Sequence, residues 1–223
     1  GAESILAFGA AVISTGAPPF VPPIPGAREA MANGGVLTSD SIWSLPAPPR
    51  RLGIIGGGVI GVEMAQIWRD VGAEVLMLEA KERILAEIEE DIAKQLGAIL
   101  AGEFPIVTGA KILEISGQPD NMRIKYLDAA GAPGEYLCDT VLIATGKRPN
   151  TAKLNLAAVG VELDGTAIKT DAHCRTSAPH IYAVGDVIGG YMLAHTAAAQ
   201  GRVAAHNLLG KPLEYRPELD CGV

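Results

Sequence analysis

The chain has 223 residues, of which 48% are hydrophobic and 4% aromatic, with a net charge of −7 and a pI near 5.1. Its 18 Lys and Arg are scattered rather than gathered into a stripe, which excludes a polyanion-binding surface, so nucleic acid is not an expected partner. The length allows one large core or two smaller ones. The longest apolar run, Ile5 to Ile13, is broken by Gly9 and too short to cross a bilayer, and no basic leader precedes it; a cytoplasmic protein without a membrane partner is expected.

Along the chain, "AAVISTGA" is a short apolar strand, followed by "PPFVPPIPG", whose prolines exclude helix and favour extended chain. A second hinge, "LPAPPR", precedes the strand "RLGII". Gly58 to Val71 then has apolar residues at helical spacing, and "EVLMLE" is a further buried strand, so this stretch is a βαβ unit with parallel strands. An acidic helix is expected from about Glu87 to Ala101. Short strands between Ile106 and Leu137, separated by "SGQPDN" and "DAAGAPG", form an antiparallel meander, and "DTVLIATG" returns to the parallel sheet. The remainder holds the strand "HIYAVGD" and a last helix from about Met192 to Leu209. The fold class expected is α/β, a Rossmann-like domain with an antiparallel β-meander. No short-period repeat is present.

"GIIGGGVIGVEMA" carries the most specific signal. Gly56, Gly58 and Gly61 have the G-x-G-x-x-G spacing, which asks for a tight turn at the first glycine, backbone contact with a pyrophosphate at the second, and close helix–strand packing at the third. The amides that open the helix, those of Val59, Ile60 and Gly61, offer partial positive charge to phosphates. Glycines alone are a weak signal, but a strand precedes these, an amphipathic helix follows, and Glu79 ends the next strand about 20 residues on. A carboxylate there accepts hydrogen bonds from both hydroxyls of an adenosine ribose and repels a 2′-phosphate, which favours NAD over NADP. Lys81 and Arg83 follow it, and their simplest reading is solvated loop charges rather than a 2′-phosphate clamp. The cysteines Cys138, Cys174 and Cys221 lie far apart with no C-x-x-C and no Cys/His cluster, so neither a disulfide scaffold nor a metal site is expected.

These stretches, together with "VISTGAPPFVPPIPG", "RILAEIEEDIAKQL", "TVLIATGKRPNT" and "TSAPHIYAVGDVIGGYMLAHTAAAQGRVAAHNLLG", resemble the flavin-dependent pyridine nucleotide–disulfide oxidoreductases, and within them the dihydrolipoamide dehydrogenase branch most. The resemblance implies a partial FAD-binding domain over 1–45, an NAD-binding domain over 46–147, and a second partial FAD segment over 148–223 that ends where a dimerisation domain would begin. It implies that Thr15, Gly16, Asp186, Met192, Leu193, Ala194 and His195 lie along FAD. Asp186 would meet the ribityl chain, and the last helix would face the flavin ring. Gly146 would lie near NAD, and Glu63 would point to the nicotinamide. His195 carries no catalytic role in this reading.

The resemblance also implies what is not among these residues: the redox disulfide, the glycine motif of the FAD domain and the lysine opposite Glu63. The chain is therefore expected to be an internal piece, able to hold NAD but not to turn over. Its parent would be a homodimer passing electrons between NAD(H) and a small-molecule or lipoyl disulfide through FAD. The rival readings are another flavoprotein of this architecture, such as a mercuric reductase or a transhydrogenase, and a stand-alone NAD-binding module.

Overall fold

In a computed structural model that describes residues 6–219, the chain divides into two compact units. The first comprises residues up to Pro18 and from Lys147 onward; the second is Pro19–Gly146. Strand β1 (Ala11–Ile13) belongs to the first. The chain then builds the second from α1 (Ala27–Ala32), β2 (Val36–Thr38), β3 (Arg51–Ile55), α2 (Val59–Asp70), β4 (Glu74–Leu78), α3 (Glu90–Ala101), β5 (Ile106–Val107), β6 (Lys111–Gln118), β7 (Asn121–Leu127), β8 (Pro133–Cys138) and β9 (Thr140–Ile143). Back in the first unit it forms β10 (Leu163–Asp164), β11 (Ala167–Ile168), β12 (Ile181–Ala183) and α4 (Ala194–Leu208).

The second unit is three layers deep. Its middle layer is a five-stranded parallel sheet in the order β2-β9-β3-β4-β5. Alternation along the strands separates two cores. Leu52, Ile54, Val75, Met77 and Leu142 face α2 and α3, where they meet Val62, Ala65, Trp68 and Leu100. Ile55, Leu76, Leu78, Val141 and Ile143 face the antiparallel sheet β6-β7-β8 and α1, packing on Ile115, Met122 and Ile124. Both faces being covered explains why the strands read as continuous apolar runs. Fully buried side chains such as Leu52, Ile54, Met77 and Leu142 each contribute about 2 kcal/mol. Between β7 and β8, Asp128 Oδ1 accepts the amides of Ala130 (2.9 Å) and Ala132 (2.8 Å), which sets the turn that "DAAGAPG" announces.

The structure differs from the expectations at four points. β2 pairs with β9, Val36 opposite Val141, and Ile115 donates its amide to Pro25, so residues 19–45, expected with the flanking segment, pack with the central unit. Its other boundary falls one residue earlier than expected, after Gly146. β5 is not part of the meander; it extends the parallel sheet beside β4. The last helix starts at Ala194, because Met192 has φ 52° and Leu193 is extended.

The first unit is smaller. β1 and β12 form a two-stranded parallel pair, Val12 opposite Tyr182, and β10 and β11 a short hairpin. One core gathers Leu156, Val161, Ile168, Ile181, Ala183 and Val187; another gathers Cys174, Tyr182, Val184, Val203 and Ala204 beneath α4. Where the chain changes units its passing segments are laced together. Pro18 O accepts Arg148 N–H (3.0 Å), and Gly146 O accepts Phe20 N–H (2.8 Å).

Candidate nucleotide site

The turn between β3 and α2 shows why its glycines are glycines. Gly56 has φ 112°, and a Cβ there would lie 2.4 Å from Ala144 O. A Cβ on Gly61 would lie 1.9 Å from Gly56 O, so α2 rests directly on the turn. At Gly58 the backbone is extended and a Cβ would meet nothing within 4 Å, which leaves an open space beside the start of α2. No side chain caps that helix. Its first amides are therefore left for an external acceptor, in a direction that favours anions.

Glu79 follows β4 and is only 9% exposed. Gly57 N–H donates to its Oε2 and Lys81 N–H to its Oε1 (2.7 Å). Two charge-assisted bonds fix the carboxylate and leave about two of its four acceptor directions for a ligand. Gly57, an unspecified position in the spacing pattern, is required by the same crowding: a Cβ there would lie 2.7 Å from Ile84 Cγ2 and 3.1 Å from Glu79 Oε2.

The cations after Glu79 are already engaged. Lys81 Nζ pairs with Glu87 on the surface. Arg83 is not a solvated charge; it is half-buried and donates to Ile84 O (3.5 Å), Leu85 O (2.6 Å), Ala86 O (3.0 Å) and Ile88 O (3.0 Å). Leu85, at φ 51°, donates its amide to Gly57 O (2.7 Å). Neither Arg83 nor Gly57 was identifiable as part of the site from spacing. Glu63 is exposed on α2 and makes no hydrogen bond or ion pair among the described residues. Gly146 has φ 102° and bonds through its carbonyl to Phe20.

In the first unit, Thr15 Oγ1 donates to Asn150 O (2.9 Å), and Asn150 N donates to Gly16 O (2.9 Å), with Gly16 at φ 69°. Asp186 is partly exposed, with Lys147 Nζ at 4.0 Å. Gly185 N–H, just before it, is held by the buried Gln200 Oε1 (2.7 Å). α4 also opens without a side-chain cap, and Met192, Leu193, Ala194 and His195 surround its start.

Cys138 and Cys174 are buried, one in each unit, and burial pushes both thiols up to about 11. They are inert packing groups at neutral pH. Cys221 lies outside the described residues. No cluster of three or more His, Cys, Asp or Glu able to hold a metal occurs among the described residues, and no helix among them is long and apolar enough to cross a membrane.

A Rossmann-like parallel sheet with a glycine turn opening onto an uncapped helix and a carboxylate at the next strand end places the protein in the doubly wound α/β class. The family model described as pyridine nucleotide-disulphide oxidoreductase matches residues 1–201, and the chain belongs to that family. It is 35% identical over its whole length to dihydrolipoyl dehydrogenase 3 of Pseudomonas putida, of which it covers 47%. It is 34% identical to a mercuric reductase of Staphylococcus aureus over 89% of this chain and 36% of that protein. Among solved structures it is similar to the HOCl-induced flavoprotein disulfide reductase RclA of Escherichia coli, with a TM-score of 0.81 and 32% identity over 92% of this chain and 46% of RclA. The chain thus spans less than half the length of these relatives.

Proposed function

We propose that Pro19–Gly146 is the NAD(H)-binding unit of a flavin-dependent disulfide oxidoreductase of the dihydrolipoyl dehydrogenase type. The observation that carries this reading is Glu79, a carboxylate held by the Gly57 and Lys81 amides at the end of β4, beside the open Gly58. Pyrophosphate oxygens would be received by the amides of Val59, Ile60 and Gly61. Glu79 would accept the ribose hydroxyls, and a 2′-phosphate would meet its charge with Lys81 and Arg83 already engaged elsewhere. Gly146 belongs to the same nucleotide's surroundings, and Glu63, exposed on α2, to its nicotinamide end.

The other unit supports FAD through Thr15, Gly16, Asp186 and the opening of α4 at Met192, Leu193, Ala194 and His195. Its donor set fits in part: a partly exposed carboxylate suits sugar hydroxyls, and an uncapped helix start suits electron-rich ring atoms. Bound flavin supplies the step between two-electron hydride transfer and disulfide chemistry. This chain's residues bind and orient. The described cysteines are buried, one in each unit, which supports the reading that the redox pair belongs to the parent enzyme rather than to these residues. The parent is read as a cytoplasmic homodimer acting on a lipoyl or small-molecule disulfide. The mercuric reductase relative, at nearly the same identity, supports a second reading in which the parent's acceptor is not lipoyl.

The test is separate titration of NADH and NADPH into the 223-residue chain, followed by nicotinamide fluorescence. Tighter binding of NADH is expected. Equal or tighter binding of NADPH would overturn the reading of Glu79, and a chain that binds neither would overturn the site.

A further inference from the structure

We infer that Arg83 is a positioning residue for Glu79: its guanidinium shapes the 80–88 loop so that the carboxylate is aimed at a ribose diol, and it thereby sets the preference for a nucleotide without a 2′-phosphate. The inference rests on the reading of Glu79 as the ribose acceptor.

A closed circuit of hydrogen bonds carries the argument. Arg83 gathers the carbonyls of Ile84, Leu85, Ala86 and Ile88 on one planar cation. Such a cluster of carbonyl dipoles repels itself unless a fork of donors lies at its centre, and only guanidinium presents that many donors in a fixed plane. The curled loop then holds Leu85 at φ 51°, a conformation an L residue with a buried side chain does not adopt without support. In that conformation the Leu85 amide reaches Gly57 O at 2.7 Å. The other side of the same residue, Gly57 N–H, donates to Glu79 Oε2, and Lys81 N–H closes the circuit at Oε1. Leu85 thus buttresses Gly57, and Gly57 in turn orients Glu79.

The same bonds decide against a phosphate role for Arg83. A guanidinium that turned outward to a 2′-phosphate would leave these carbonyls without their donor and release Leu85 from its strained state. Arg83 is therefore a residue whose removal alters selectivity through Glu79, although neither nucleotide touches it. Lys cannot substitute, because an ammonium on a single stem has three donors and no planar fork.

The experiment measures NADH and NADPH affinities separately for the 223-residue chain and for Arg83→Met and Arg83→Lys, with the thermal midpoint of each. A loop that spends a tenth of its time in the competent shape weakens NADH about tenfold. That loss is expected in both variants, with NADPH affinity held and the NADH-to-NADPH ratio falling by the same factor. Arg83→Lys carries the test should Arg83→Met fail to fold. A variant that keeps the original ratio, or one in which both nucleotides weaken equally, overturns the inference and leaves Arg83 a purely structural residue. An unsubstituted chain that binds neither nucleotide, or prefers NADPH, overturns the reading of Glu79 and the inference with it. An NADH-preferring chain whose variants keep the ratio overturns the inference alone.

Discussion

The two units use the same parallel-strand chemistry to different extents. In Pro19–Gly146 the five strands are covered on one face by α2 and α3 and on the other by the meander, and Leu52, Ile54, Met77 and Leu142 lose all contact with solvent. In the other unit the parallel sheet is a pair. β12 is laced on its far edge to Cys174 and Thr176, whereas β1 has no second partner strand among the described residues, and Val12 is 44% exposed. A parallel sheet is stable when both faces are buried, so the complete layer carries most of the chain's stability and the pair depends on α4 and its loops.

The sharpest way to separate the units is Gly61→Ala. Its methyl group would collide with Gly56 O at 1.9 Å, and the expected loss is about 3 kcal/mol. Both tryptophans, Trp43 and Trp68, lie in the unit that contains Gly61, so urea unfolding followed by their fluorescence reads that unit alone. An unchanged rate of Cys174 labelling would show that the units open independently; equal acceleration would show one cooperative body.

A somewhat smaller contrast is expected in amide exchange. The β3–β4 and β3–β9 amides should be protected by about 2 kcal/mol more than those joining β1 to β12. Comparable protection would contradict the unequal stability argued above. Gly58→Ala refines the contrast within the larger unit. At φ −74° and ψ −175° any L residue fits, and no atom lies within 4 Å. The tryptophan transition should therefore stay in place while NADH binding weakens about tenfold, as backbone approach to the pyrophosphate is obstructed.

A further contrast is alkaline. Cys138 and Cys174 are held neutral by burial up to about 11, against an ordinary value of 9.0. The unfolded chain therefore loses these protons first, and the stability they contribute is present below pH 9 and lost as pH rises to about 11. Cys138→Ser should flatten that slope in the tryptophan transition, and Cys174→Ser should leave it unchanged if the units open separately.

Most of the larger unit could be read from the sequence because its signals are strong and local. β3, α2 and β4 combine buried runs, helical spacing and a glycine motif, and they appear within a residue or two of where these signals place them. α1 and β2 could not be read, since a six-residue helix and a three-residue strand are too short to show a period. Their membership of the central unit is fixed only by pairing with β9 and packing against β6. At the site, Glu79 was identifiable from its place at a strand end. Arg83 was not, because its partners are backbone carbonyls, which have no signature in a string of side chains.

The lacing of Pro18 to Arg148 and of Phe20 to Gly146 also bears on how such a chain comes into being. β1 is made before Pro19–Gly146, and its partner β12 emerges only after the whole of that unit. Closing so long a loop from an unfolded chain is entropically costly and slow. A folded Pro19–Gly146 brings its own two ends within one hydrogen bond, and the remaining gap between β1 and β12 then behaves as a short connection. The inserted unit thus acts as an internal template during synthesis, completing itself first and delivering the two halves of its host to each other.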